Sequence, residues 1–211
     1  MGRPREFDPD QALARAVELF WEKGYEGASL GELTEVMGIT RPSLYGTYGN
    51  KEELFRKALN FYDEHFMGFI GKSLQEPTAR QVVEHLLFGY VDSQTLPDHP
   101  WGCLGVHGAQ PGSESDGSMH HELAARRNSV RTALRDRLRT AQKDGDLPVW
   151  ASPDDMAMLV MLIAQGSAMQ ARAGSSRSEL RRAVALTVAT LPLDAGTSAA
   201  KLPTDKRPSA V

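Results

Sequence analysis

Apolar residues recur at helical spacing along most of the chain, and turn signals punctuate them. Leu13, Ala16, Val17 and Phe20 share one face of an opening helix. Asp8 caps it, Pro9 stands at its first position, Gln11 completes a capping box, and Gly24 ends it. Ser29 with Glu32 predicts a second helix from Leu30, apolar through Leu33, Val36 and Met37 and closed by a left-handed Gly38. Thr40 caps a third over residues 41–47, with Leu44 as its inward residue. Asn50 with Glu53 starts a fourth at Lys51. Its stripe, from Leu54 and Phe55 through Tyr62, Phe66 and Phe69 to Ile70 and Leu74, predicts one helix to about residue 75, shared by both halves as a lever. Gly68 and Gly71 interrupt it as points of close packing or bending.

Beyond Pro77, Thr78 and Gln81 begin a helix that buries Val82, Val83, Leu86, Leu87, Tyr90 and Val91. Residues 97–118 are the least regular. They predict a short glycine-rich helix within 101–109 and a mobile loop from Pro111 to Asp116. A long helix follows over about 118–143, with Leu123, Val130, Leu134 and Leu138 on one side and arginines on the other. Ser152, Pro153 and Asp155 start a helix that is apolar on most sides, through Met156, Leu159, Val160, Leu162, Ile163 and Met169. A Ser176/Glu179 box starts the last, to Leu191, with Leu180, Val184, Leu186 and Val188. A helix apolar nearly all round must be covered on both sides. A second copy supplies that cover in a two-fold four-helix seam, and a wholly internal helix in a monomer is the alternative. Residues 192–211, rich in Pro, Ala, Ser, Thr and Lys, are expected to be a disordered tail. The pattern as a whole is all-α.

The third helix is too short to be stable alone, so it must pack through Leu44 and turn Thr40, Arg41, Ser43 and Tyr45 outward. Two short helices joined by a tight glycine turn, the second polar outside, describe a helix-turn-helix. In that motif the second helix enters the major groove of DNA, its first residues reach base edges, and hydroxyls nearby hold phosphates. A solvated helical corner without a partner has the same local pattern, and the flanks decide between the two.

With its flanks, the segment resembles the DNA-binding domain of the TetR family of one-component transcriptional repressors. The likeness covers about residues 8–60. It is carried by Phe20-Trp21-Glu22-Lys23-Gly24-Tyr25-Glu26-Gly27-Ala28-Ser29, Leu33-Thr34-Glu35-Val36-Met37-Gly38, Ser43-Leu44-Tyr45-Gly46-Thr47-Tyr48 and Asn50-Lys51-Glu52-Glu53-Leu54-Phe55. The chain departs from it at Thr47-Tyr48, where members often carry His-Phe, and at Asn50, where they often carry Ser. The segment around Cys103 resembles the Gly-Cys-containing sixth helix of many such regulators. The resemblance implies about nine helices, a homodimer and an inducer pocket in the C-terminal half. The expected division is a helix-turn-helix domain over 1–50 and a ligand-binding and dimerisation domain over 51–191. The partner it implies is double-stranded DNA, as a palindromic operator with half-sites about one helical turn apart. Thr40, Arg41, Ser43 and Tyr45 then read or flank bases, while Ser29, Tyr48 and Lys51 hold phosphates.

Charge qualifies this picture. The net charge is -3, and residues 1–60 hold eight basic against ten acidic side chains. Bulk charge thus argues mildly against nucleic acid, and local placement of Arg3, Arg5, Arg41 and Lys51 must supply the phosphate contacts. The single cysteine, Cys103, excludes an internal disulfide framework. No secretory signal is evident, and the apolar run over 156–164 is too short to cross a bilayer, so a cytoplasmic protein with no membrane partner is expected.

Cys103 and His107 share a helical face and, with His65, His85, His120 or His121, offer soft-metal ligands. Cys103 alone offers a thiol sensor. A small buried hydrophobe beside a hydrogen-bonded histidine explains the pair better, since no tight Cys/His cluster exists. Gly-x-Ser-x-Gly, a phosphate loop and His-Glu-x-x-His are absent, so neither catalysis nor a cofactor is expected. Phe66, Phe69, Tyr90, Trp101, Leu104, Met119 and Met161 are the candidate apolar lining of a ligand site, with Cys103 and His107 beside them, and plain core is the competing reading for each. The sequence therefore predicts a DNA-binding regulator, a repressor released by a small-molecule inducer. A helical small-molecule binding protein or sensor without DNA binding is the rival, and a helical enzyme stands behind both.

Overall fold

Local capping chemistry sets most of the helix starts. The structure, a computed structural model, describes residues 7–108, 117–194 and 196. Among these it contains ten α-helices and no strand: α1 Pro9–Gly27, α2 Leu30–Met37, α3 Arg41–Tyr48, α4 Lys51–Phe66, α5 Phe69–Ser73, α6 Ala79–Gln94, α7 Leu104–His107, α8 Ser118–Lys143, α9 Pro153–Arg172 and α10 Arg177–Thr190. Asp8, Ser29, Thr40, Asn50, Thr78, Ser152 and Ser176 each accept a backbone N–H at a helix start. Ser29/Glu32, Asn50/Glu53 and Ser176/Glu179 close full capping boxes.

Helix α1 packs on α2 and α4, and α3 on the same two. Helices α6, α8, α9 and α10 form a second group, with α5 laid on α6. Between the groups α7 touches α1, α4 and α8. One continuous apolar core runs from Ala12 to Leu193, so no gap in packing marks residues 50 and 51.

Three expectations need correction. The long lever helix is two helices, because α4 stops at Met67, whose φ of -107° and ψ of 5° leave the helical region. Phe66 is drawn to Trp21 on α1, at 5.1 Å between ring centres, and Phe69 to Tyr90 on α6, also at 5.1 Å. Phe69 lies so close to α6 that a Cβ on Gly89 would stand 2.3 Å from its ring. Next, Gly24 breaks α1 at φ 72° and ψ 174° as expected, yet one further turn follows it to Gly27. Finally, the expected tail begins packed. Leu193 is fully buried, and Asp194 accepts from Arg80 on α6. Arg3 and Arg5, the loop over 111–116 and the tail over 197–211 lie outside the described residues.

Candidate nucleic-acid interface and inner cavity

Helix α3 is clamped from one side only. Leu44 and Tyr48 are buried against α2 and α4, and burying Leu44 alone contributes about 1.5–3 kcal/mol. The opposite face presents Arg41, Pro42, Tyr45 and Gly46 to solvent, with Tyr45 49% exposed. Arg41 has no hydrogen bond or ion pair among the described residues. Thr40 Oγ1 accepts the Ser43 N–H at 3.3 Å and lies 3.0 Å from Ser43 Oγ, so these two hydroxyls brace the first turn of the helix. At the other end Lys57 Nζ donates to the carbonyls of Tyr48, at 2.9 Å, and Thr47, at 3.3 Å. A cation there complements the helix dipole. The sequence reading missed this clamp, although Lys57 lies one turn beyond the Asn50 box.

The three expected phosphate residues are placed differently from one another. The Ser29 backbone N–H and hydroxyl both donate to Glu32, which also takes Lys23 Nζ at 2.5 Å. Lys23 and Ser29 hold the Glu32 carboxyl down at about 2. Lys51 Nζ rests 4.6 Å from the centre of the Tyr25 ring, and burial there pulls its ammonium below the ordinary value. Tyr48 corrects the expectation: it is buried, and its hydroxyl donates to the Pro9 carbonyl at 2.7 Å. The hydroxyl that this chain carries in place of phenylalanine ties α3 to the start of α1.

Behind this head lies a cavity of about 320 Å³ between α4, α5, α6, α7, α8 and α9. Leu59, Met67, Ile70, Val106, Leu123 and Val130 supply most of its apolar wall, and Tyr62, Asp63, Tyr90, Arg126 and Arg127 are among its polar groups. Of the residues expected there, Tyr90, Cys103 and Met161 line it. Phe66, Phe69, Trp101, Leu104, His107 and Met119 do not, and Met119 is fully buried core. Phe66 packs on Trp21, Tyr62 and His99. Phe69 packs on Tyr90, Leu104 is fully buried core, and Trp101 faces solvent at 40% exposure. His107 sits 3.3 Å from the Ala168 carbonyl, and burial lowers its pKa. The Cys103 thiol is buried, accepts the Tyr62 hydroxyl at 3.5 Å and is pushed up in pKa by burial, which opposes a thiolate. No group of three metal-binding side chains occurs among the described residues.

One strand of chain joins cavity to head. Gly105 and Val106 line the cavity, and two residues later the Gly108 carbonyl accepts the Tyr25 N–H at 2.6 Å. Gly24 lies against the same turn, where a Cβ would meet the His107 carbonyl at 3.3 Å. Arg172 at the end of α9 adds bonds to the Trp21 and Glu22 carbonyls of α1.

Residues 12–58 match the bacterial regulatory proteins of the tetR family, and residues 77–187 match the tetracyclin-repressor-like C-terminal domain. The chain belongs to the TetR family. It is a DNA-binding transcriptional regulator of that family, with α2 and α3 as its helix-turn-helix. It is 31% identical over 189 residues to the HTH-type transcriptional repressor ComR of Escherichia coli, a match covering 89% of this chain and 90% of ComR. The repressor BdcR of the same organism is 48% identical over 61 residues, 29% of this chain and 31% of BdcR. Among solved structures, a cysteine mutant of the TetR family regulator CifR complexed with 26-bp double-strand operator DNA is 37% identical. It superposes with a TM-score of 0.86, over 90% of this chain and all of CifR. No helix among the described residues of this TetR regulator is long and apolar enough to cross a membrane.

Proposed function

We propose that the chain is a homodimeric repressor. Two copies of α3 hold a palindromic operator, and a small molecule filling the cavity releases it. The observation that carries the reading is α3, braced through Leu44 and Tyr48 while Arg41 and Tyr45 stand exposed. Arg41 reads or flanks bases, Tyr45 and the Thr40–Ser43 turn approach the sugar–phosphate edge, and Ser29 and Lys51 take phosphates. The CifR neighbour, bound to operator DNA, and the repressor ComR support this assignment.

A dimer seam is supported by a stripe on the last two helices. Leu159, Leu162 and Met169 on α9 and Leu186 on α10 are exposed, Leu162 at 58% and Leu186 at 67%. Apolar residues at this spacing, with small Gly166 between them, fit a self-complementary four-helix contact. Release needs a ligand that binds two arrangements unequally. The turn Cys103–Gly108 is the natural relay, since it both walls the cavity and bonds to α1. The break at Met67 makes α4 alone a poor lever. A DNA partner implies the cytoplasm, and the reading includes no catalytic step.

The test is selection of duplexes from a random pool by the purified full-length protein, repeated with a panel of metabolites. A two-fold symmetric motif, bound more weakly as salt rises and released by one metabolite class, is the expected result. Tight binding of a metabolite with no duplex selected favours a sensor without DNA binding.

A further inference from the structure

The cavity wall carries one guanidinium, that of Arg127, with no carboxylate paired to it among the described residues. Asp63 lines the wall and is bound by Arg126 at 2.5 Å, while the rest of the Arg126 fork goes to Asn60 at 2.7 Å and Glu122 at 2.9 Å. Glu122 also takes Arg56 at 2.8 Å. Arg56 reaches Glu52 as well, at 3.5 Å, so these two arginines are matched in full by three carboxylates. Arg127 lines the same wall outside that set. Among the described residues its hydrogen bond is to a neutral acceptor, the Gly105 carbonyl at 2.5 Å. Burial pulls its guanidinium below the ordinary value, and no carboxylate opposes the effect. A guanidinium has five donors, and a half-buried one without a counter-charge lowers stability.

A second donor is available. The Tyr90 hydroxyl lines the cavity and makes no hydrogen bond among the described residues, and burial raises its pKa, so it stays protonated. Much of the remaining wall is aliphatic: Leu59, Met67, Ile70, Val106, Leu123 and Val130. One unmatched cation, one free hydroxyl and an apolar body of limited volume describe a monoanion with a hydrocarbon tail. A phosphate monoester would bring close to two negative charges to a single guanidinium and is a poorer match.

We propose that the cavity takes a small organic acid, its carboxylate on Arg127 and the Tyr90 hydroxyl, its hydrocarbon part against Leu59, Ile70 and Leu123. The inference deepens the inducer reading above and rests on it. It also gives the route by which a ligand would favour one arrangement over another. A carboxylate that draws the free donors of Arg127 toward it also shifts the Nη1 bond to the Gly105 carbonyl, and Gly105 sits on the turn whose Gly108 carbonyl holds Tyr25.

Calorimetric titration of the full-length protein with octanoate and with 4-phenylbutyrate, each against its neutral amide, tests the assignment. The acids are expected to bind at least tenfold tighter than the amides at neutral pH. Arg127→Gln should bring each pair within twofold, and Arg127→Lys should restore part of the difference. A ligand-free measurement stands beside this: Arg127→Met should raise the melting temperature by about 2–4 °C, the shift expected per kcal/mol in a chain of this size. Acid and amide binding alike, or a preference that survives Arg127→Gln, overturns the assignment and leaves the cavity as the inducer site. A fall in melting temperature for Arg127→Met overturns it too, by making the Gly105 bond a structural need. Failure of all four probes at millimolar concentration also overturns it. The inducer reading then stands or falls separately on operator release by the metabolite panel, which does not depend on a carboxylate.

Discussion

Arg41 and Tyr48 lie seven positions apart on one short helix and do opposite work. Arg41 is exposed and bonds to nothing among the described residues, so its removal should leave folding alone. Arg41→Ala is expected to weaken operator binding by about 1–3 kcal/mol with an unchanged melting curve, measured by fluorescence anisotropy on the selected duplex. Tyr48 holds the α1 start through its 2.7 Å bond to Pro9. Tyr48→Phe should therefore cost about 1 kcal/mol of stability while operator affinity holds within a factor of two or so. A tenfold affinity loss with no change in stability would return Tyr48 to the phosphate role. The sequence displayed both side chains as polar residues near a helix end. It could not display that Tyr48 points inward, because the acceptor is 39 residues away.

At the scale of elements, what was legible in the sequence was what is local. Capping boxes at Ser29, Asn50 and Ser176 depend on residues three apart and form where expected, whereas Asp8 caps α1 without the return bond expected of Gln11. The cavity wall depends on how six helices meet. Leu59, Phe66, Phe69 and Ile70 all belong to one apolar stripe, and periodicity cannot say which neighbour each will face. Phe66 and Phe69 turned to α1 and α6, while Leu59 and Ile70 turned to the cavity. Arg127 was hidden in a run of arginines whose pairing only the fold decides. The joint at Gly24 was half visible: a helix stop was expected there, but not its contact with the α7 turn. At φ 72° and ψ 174° the backbone is in a region essentially restricted to glycine. Gly24→Ala is expected to cost about 1–3 kcal/mol and to loosen the Tyr25–Gly108 bond. Faster amide exchange at Tyr25 than at Leu33 would register it, and unchanged exchange at both would show that the joint tolerates a side chain.

At the scale of the whole molecule, two exposed leucines test the assembly. Leu162→Glu with Leu186→Glu places charge in the stripe that the second copy is proposed to cover. Light scattering should show a monomer at micromolar concentration, with a far-ultraviolet spectrum like that of the parent and operator binding lost. A double variant that remains dimeric would move the seam elsewhere. The overall net charge of -3 had counted against a DNA partner. Position matters beside that sum: Glu32 is paired with Lys23 and Ser29, while Arg41 stands exposed without an ion pair among the described residues.

The short stretch after α10 also bears on how the protein can be cut. Leu193 fills a buried site, and Asp194 is bound by Arg80, whose Nη1 also reaches the Val188 carbonyl. A version trimmed to finish at residue 191 should forfeit about 1.5–3 kcal/mol of leucine burial and melt several degrees lower. One trimmed just behind residue 194 keeps both contacts. Affinity handles and reporter fusions therefore belong behind that latch, which fixes where along α6 they leave the body.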